Sequence, residues 1–258
     1  MVIIPIDCYY TKHFINQTVV QLFSKSLGLP LIDIKKYKET NNIFASYGIL
    51  RGTGDIIKKR KKNFIYIDHG YFNSSSRRFT KEKNTILSGL EGYFRIIKDD
   101  LYFNNYNFTN DRKRFNDLDI NLKEKKAGDI IILSEPTQNT LDFLGLNNWK
   151  EKTIEEIKLY TDREIIVHNK FSETPLQSLL QRAFAFVSCQ STAGFLAVSE
   201  GVPAFFTHNS LRKYGDIKDI EKNLLNHDLL FAASNSQWRL KEFFTDEFKQ
   251  YIYKIISD

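Results

Sequence analysis

The residues best suited to chemistry gather where short apolar runs give way to polar side chains. Ile130–Leu133 runs into Ser134-Glu135-Pro136-Thr137, and Glu164–Val167 runs into His168-Asn169-Lys170. Ala185–Ser188 runs into Cys189-Gln190-Ser191-Thr192-Ala193-Gly194. Each run reads as a strand, and in doubly wound sheets ligands sit beyond the carboxyl ends of the strands. In the third stretch, opened by Gln190, Ser191 and Thr192 offer hydroxyls at a helix start. Ala193 and Gly194 are small enough for a phosphate to approach the backbone. The free N–H groups and positive dipole end of such a helix favour an anion. His168 and Lys170 add a donor and a charge from the neighbouring strand end. Ordinary N-capping accounts for Ser191 and Thr192 equally well, and a solvated position for Lys170.

A second group lies in the first half of the chain. Asp68 and His69 close the strand Asn63–Asp68 and precede Gly70. Either is a candidate general base, and histidine titrates nearest neutrality. Asp68 alternatively orients His69, or caps a turn. The turn Arg51-Gly52-Thr53-Gly54 lets backbone approach a ligand, and Arg51 suits a phosphate or a carboxylate. The run Lys58-Lys59-Arg60-Lys61-Lys62 is the sharpest charge cluster and could track a nucleic-acid backbone. A further basic and aromatic region holds Arg77, Arg78, Phe79, Tyr93, Phe94 and Arg95, types that stack on bases. A solvated helix end followed by a loop is the plainer reading of the lysine run.

The elements that must position these groups alternate between strand and helix, which argues for parallel sheets with covering helices. Strands are expected at Val2–Ile6, Leu31–Ile34, Ile43–Gly48 and Asn63–Asp68, with a helix over Lys12–Leu27 and a short basic helix after Gly54. Tyr93–Tyr102 reads as a strand or hairpin. The polar, Asn-rich stretch from Asn104 to Lys126 reads as an excursion and linker. Beyond it, strands are expected at Gly128–Ser134, Glu164–His168, Ala185–Ser188 and Val202–Thr207. Helices are expected at Thr137–Leu144, Lys150–Tyr160, Pro175–Arg182 and Thr192–Glu200, and an amphipathic helical tail over Gln237–Ile256, broken near Thr245. The expected domains are therefore 1–126 and 127–258, with the terminal helices packing back on the N-terminal domain.

Composition narrows the class. The 258 residues are 42% hydrophobic and 14% aromatic, enough to build cores. The formal charge of +6 favours an anionic partner such as a nucleotide, a nucleic acid or an acidic glycan. No apolar run approaches the roughly 18–20 residues of a membrane span, and the start MVIIPIDCYY lacks the pattern of a signal peptide. Cys8 and Cys189 sit in no metal or redox spacing, which suits a reducing compartment. A cytoplasmic protein, of a bacterium or a phage-infected host, is the expectation. No His-x-x-x-His or Cys-x-x-Cys occurs, and Asp99-Asp100 lacks an Asp-x-Asp spacing, so no metal ligands are assigned.

The stretch AFAFVSCQSTAGFLAVSEGVPAFF resembles the donor-binding segment of GT-B glycosyltransferases, especially those of surface polysaccharides and capsules. There a Ser/Thr-rich turn opens a helix that ends in Gly-x-Pro before the next strand. The resemblance covers roughly Gly128–Thr207. It implies an α/β, GT-B-like fold of two Rossmann-like parallel-sheet domains facing a cleft. It further implies a metal-independent transferase that holds no bound cofactor and uses a nucleotide-diphosphate sugar as donor. Ser191, Thr192 and Gly194 would hold the diphosphate, with Ser134 and His168 flanking the nucleotide or sugar, and Gln190, Ala193 and Lys170 beside them. Asp68 or His69 would serve as base on the acceptor side, with Arg51, Gly52, Thr53, Gly54, Tyr93 and Arg95 as acceptor contacts. Many members carry a ribose-binding Glu seven residues before the Pro of the segment. That position is Leu196 here.

The acceptor expected from the basic run is a 5-hydroxymethyl-modified base in phage DNA, bound as duplex through Lys58–Lys62. A capsular or other surface glycan is the alternative acceptor, and a nucleotide-sugar epimerase of the same fold the alternative enzyme. A non-catalytic nucleic-acid-binding protein is a third reading. A serine hydrolase is disfavoured, since no Gly-x-Ser-x-Gly elbow occurs.

Overall fold

A computed structural model describes residues 5–72, 90–103, 112–118, 120–125 and 127–257. The protein is α/β. By its contacts the chain divides into two compact units, Met1–Tyr106 with Ser236–Asp258, and Asn107–Asn235.

The first unit carries β1 (Ile6–Tyr10), α1 (Phe14–Leu27), β2 (Leu31–Asp33), β3 (Ile43–Tyr47), α2 (Thr53–Arg60), β4 (Phe64–His69) and β5 (Tyr93–Lys98). α1 buries Ile15, Val19, Val20 and Phe23, a spacing that lines one helical face. It stops at Gly28, whose φ of 65° suits glycine at a helix end. The sheet order is β10-β5-β4-β3-β1-β2, where β10 is Gln237–Arg239. β1 to β4 run parallel, but β5 and β10 pair antiparallel. The expectation of purely parallel sheets is thus corrected to a mixed sheet here. The chain reverses directly from β4 into β5, which only an antiparallel neighbour permits without a long crossover.

The C-terminal segment belongs to this unit. Its first residues, expected to be helical, form the edge strand β10 instead. A 3-10 turn (Leu240–Phe244) and α10 (Asp246–Ser257) follow. Trp238, Phe243 and Phe248 pack with Phe23 of α1 in one aromatic cluster, ring centroids 4.6–6.1 Å apart. Gln237 is fully buried, and its Oε1 accepts the backbone N–H groups of Tyr71 (2.8 Å) and Phe72 (3.0 Å).

The second unit holds α3 (Lys113–Asn116), β6 (Ile130–Ser134), α4 (Gln138–Leu144), α5 (Trp149–Lys158), β7 (Glu164–His168), α6 (Leu176–Leu180) and β8 (Ala183–Ser188). Then come α7 (Ala193–Ser199), β9 (Ala204–Phe206), α8 (Asn209–Arg212) and α9 (Asp228–Asn235). Its sheet is parallel throughout, ordered β7-β6-β8-β9. Every residue of β6 and β8 is buried, as befits central strands covered on both faces. Ile131, Leu133, Val187 and Phe205 pack on one side with Trp149 and Ile157 of α5. α8 and α9 carried no expectation from sequence; α9 is buried from Leu229 to Asn235. Among the described residues, no helix is long and apolar enough to cross a membrane.

In the first unit a buried charge pair links neighbouring strands. Arg95 Nη2 donates to Asp68 Oδ2 at 3.1 Å, and the guanidinium lies 5.7–5.9 Å from the rings of Tyr66, Tyr71 and Tyr102. Replacing Arg95 by Met leaves the Asp68 carboxylate without its counter-charge. We expect that variant to lose about 3 kcal/mol in urea unfolding, and Asp68→Asn with Arg95→Met together to lose less than Arg95→Met alone.

Candidate functional site

In the second unit, β6 leads to β7 on one side and β8 lies on the other side of β6, so the connection direction reverses between β6 and β8. Such a reversal leaves a crevice beyond the strand ends, because the two crossovers diverge there. The ladder sets the three ends level: Ser134 pairs with His168 on one side and with Ser188 on the other. A cavity of about 290 Å³ opens at that point, lined by Ser134, His168, Lys170, Gln190, Ser191 and Ala193, together with Glu135, Thr137 and Asn169. Six of the eight residues expected to bind a donor therefore line one cavity.

The β8–α7 turn is braced by its own hydroxyls. Ser188 Oγ accepts the Ser191 N–H, and Ser191 Oγ accepts the Ala193 N–H, both at 3.2 Å. The Gly194 N–H donates to the Ser191 carbonyl. Ser191 thus caps the helix, and Thr192 occupies the N-cap position without a side-chain cap bond. Gln190 brings a carbonyl Oε1 that is buried without a hydrogen-bond partner. Across the cavity, the loop after β7 is held by the Asn169 side chain, which accepts the Phe171 N–H, and by Ser172 Oγ, which accepts the Asn169 N–H. His168 Nε2 stands 3.2 Å from the Thr174 carbonyl. Lys170 is exposed, with its ammonium 5.1 Å from the Phe171 ring. Glu135 is the one carboxylate in the lining; Lys150 stands 3.5 Å from it.

Thr192 and Gly194 are not in that lining. Gly194 has a packing reason to be glycine: a Cβ there would stand 2.9 Å from the Phe206 ring, which is buried in β9. Glu200 is held by Lys123 at 2.6 Å. Glu135, Thr137 and Asn169 were missed as individual residues, although each follows an expected strand end directly in sequence.

In the first unit, the expected residues Arg51–Gly54 and Asp68-His69 follow the ends of β3 and β4, parallel neighbours. Asp68 and His69, being consecutive in a strand, point to opposite faces. Asp68 Oδ2 accepts Tyr66 Oη at 2.6 Å as well as Arg95, and Oδ1 accepts the backbone N–H of His69 at 2.8 Å. The carboxylate does not reach the imidazole, so Asp68 does not orient that ring. Tyr47 does: its hydroxyl lies 3.0 Å from His69 Nε2, and the Phe94 ring stacks on the imidazole. Burial lowers the pKa of His69 below its ordinary value; Asp68 opposes this and Arg95 adds to it. Burial and the nearby Asp68 keep the Tyr47 phenol protonated.

The remaining acceptor candidates divide. Arg51 is exposed at a φ of 64°, and Gly52, at 91°, starts α2. Thr53 is buried, its Oγ1 donating to the Gly48 (2.7 Å) and Leu50 (2.8 Å) carbonyls, and the Gly54 N–H goes to the Ile49 carbonyl. They brace the turn. Tyr93 and Arg95 are buried, Tyr93 beneath the Arg239 guanidinium and Arg95 in its ion pair, so neither offers a free surface to an acceptor. In the basic run, Lys59 pairs with Glu39 at 2.6 Å, and Arg60 donates to the carbonyls of Thr40 and Asn42 and to Tyr37 Oη. Arg77, Arg78 and Phe79 lie outside the described residues. Both cysteines are free and buried, and burial lifts the Cys189 thiol to about 11. Among the described residues no cluster of three or more metal-ligating side chains occurs.

Because Gly194 is needed by Phe206, Gly194→Ala should lower stability by about 1–3 kcal/mol in chemical denaturation. Ligand affinity of the folded fraction should not change; an equal loss of affinity would return Gly194 to the ligand. No protein family model and no curated protein matches this sequence.

Proposed function

We propose that the second unit binds the diphosphate of a nucleotide-sugar donor, and that the chain is a glycosyltransferase of GT-B type acting on a hydroxyl acceptor. One observation carries the reading. Hydroxyl, imidazole and ammonium groups from three successive parallel strand ends converge on one cavity at the sheet's switch point. Ser134, Ser191 and His168 supply hydrogen bonds, and Lys170 supplies charge against the leaving diphosphate. The short α7 contributes little beyond this, since its leading N–H groups are already engaged by Ser191.

In this reading the first unit provides the acceptor side, and His69 is the base. Three donors already occupy the Asp68 carboxylate. His69 is kept neutral by burial, which is the form that accepts a proton. Transfer forms a bond from the acceptor oxygen to the anomeric carbon and breaks the bond to the diphosphate; the acceptor proton goes to His69.

A thermal-shift panel of nucleotide sugars tests the donor. A ligand at 100 times its Kd contributes about 2.7 kcal/mol, a rise of roughly 5–10 °C for a chain of this size. Lys170→Ala, at an exposed position, should weaken binding about tenfold. No stabilisation by any nucleotide sugar or nucleoside diphosphate would overturn the reading. Mass spectrometry with hydroxymethylated duplex DNA and with surface oligosaccharides separates the acceptors, and conversion of donor without any acceptor would indicate an epimerase instead.

His69→Gln should cut transfer by about 10²–10⁴ with donor affinity intact. The folded pKa of His69 is lowered, so its neutral form is complete above the ordinary imidazole value of about 6.5. Activity should therefore hold as pH falls through 6.5 and decline only below it. An acid limb above 6.5 would sink His69 as the base.

A further inference from the structure

A second, larger cavity of about 560 Å³ lies in the same unit. It is bounded by the α4–α5 loop, by α5, and by the residues that follow β8 and β9. The two cavities meet on either side of the β8–α7 turn, for Cys189 lines the larger and the next residue, Gln190, lines the smaller. They also share α4, whose first turn borders one and whose last residue, Leu144, borders the other.

The lining is amphipathic in a particular way. Leu144, Leu146, Trp149 and Cys189 give apolar walls, while Asn147 and Asn209 bring exposed amides that both donate and accept. Glu156 supplies a carboxylate that accepts from hydroxyl groups, and Lys152 and Arg212 supply positive charge. The wall is fixed: Trp149 Nε1 donates to Thr207 Oγ1 at 2.9 Å, and Arg212 Nε donates to the Thr207 carbonyl at 3.2 Å. A flat apolar ring with a hydrogen-bonding edge, attached to a vicinal diol and then to phosphate, is the ligand shape that such walls complement.

We propose that this cavity receives the nucleoside half of the donor, with Glu156 accepting from the ribose hydroxyls and the amides of Asn147 and Asn209 reading the edge of the base. The proposal rests on the donor reading above and gives its diphosphate a direction, from the Ser191 turn past Gln190 toward Trp149.

Trp149 and Trp238 are the two tryptophans of the chain, and only Trp149 borders the cavity. Uridine, guanosine and adenosine diphosphates and inorganic pyrophosphate are titrated against intrinsic fluorescence and thermal stability, with Trp238→Phe assigning the signal. At least one nucleoside diphosphate should quench Trp149, and pyrophosphate should bind without doing so. Asn147→Tyr, at an exposed loop position that narrows the mouth, should weaken the nucleoside diphosphate about tenfold and leave pyrophosphate unchanged. Glu156→Gln should narrow the preference for the ribo over the 2′-deoxyribo form. If pyrophosphate and nucleoside diphosphates bind while Trp149 stays silent and Asn147→Tyr has no effect, the nucleoside lies elsewhere and only the donor reading survives. If neither binds, both fall.

Discussion

The candidate site depends on the register of a parallel ladder. In such a ladder all strands point the same way, so their carboxyl ends share one edge and their neighbours there are set by hydrogen bonds rather than by loop choice. Ser134, His168 and Ser188 are level because Ile130–Ser134 is paired residue by residue with its two neighbours. A slip of one residue would turn His168 and Ser134 to opposite faces. The burial of β6 and β8 on both sides makes such a slip costly, since it would move the whole apolar set.

The first unit uses a different device. Its polar core is built around one guanidinium. Burial acts against the charge of Arg95, yet Asp68 and the three tyrosines around it outweigh that and keep it protonated. The arrangement fixes β4 against β5 and occupies Asp68, and thereby leaves His69, on the opposite face, as the side chain available for proton transfer. Structural and chemical roles are divided between two consecutive residues by the two-residue period of a strand.

Much of this was legible in the sequence. Apolar runs bounded by polar residues marked β3, β4, β6, β7 and β8, and the 3.6-residue period marked α1, α5 and α10, because those signals depend on burial alone. The donor-side residues were legible for the same reason, since strand ends announce themselves. What escaped depends on partners distant in sequence. Gln237–Arg239 reads as helix locally and becomes strand because β5 offers an open edge. Arg95 and Tyr93 look like surface groups until Asp68, Tyr66 and Arg239 surround them. Gly194 looks like a phosphate glycine until the Phe206 ring is placed beside it.

The chain leaves the first unit near residue 106 and returns to it at residue 236. Its final strand pairs with β5, and its final helix closes over the aromatic cluster of Phe23. The order of synthesis therefore matters. On a ribosome the first unit emerges with β5 unpaired and Phe23 uncovered, and it stays so while the whole second unit is made. That second unit, contiguous in sequence, can fold on its own schedule, whereas the first must wait for the last two dozen residues. During that interval an exposed strand edge and an apolar patch are open to wrong partners, so chaperone demand in this protein falls on the half that is translated first.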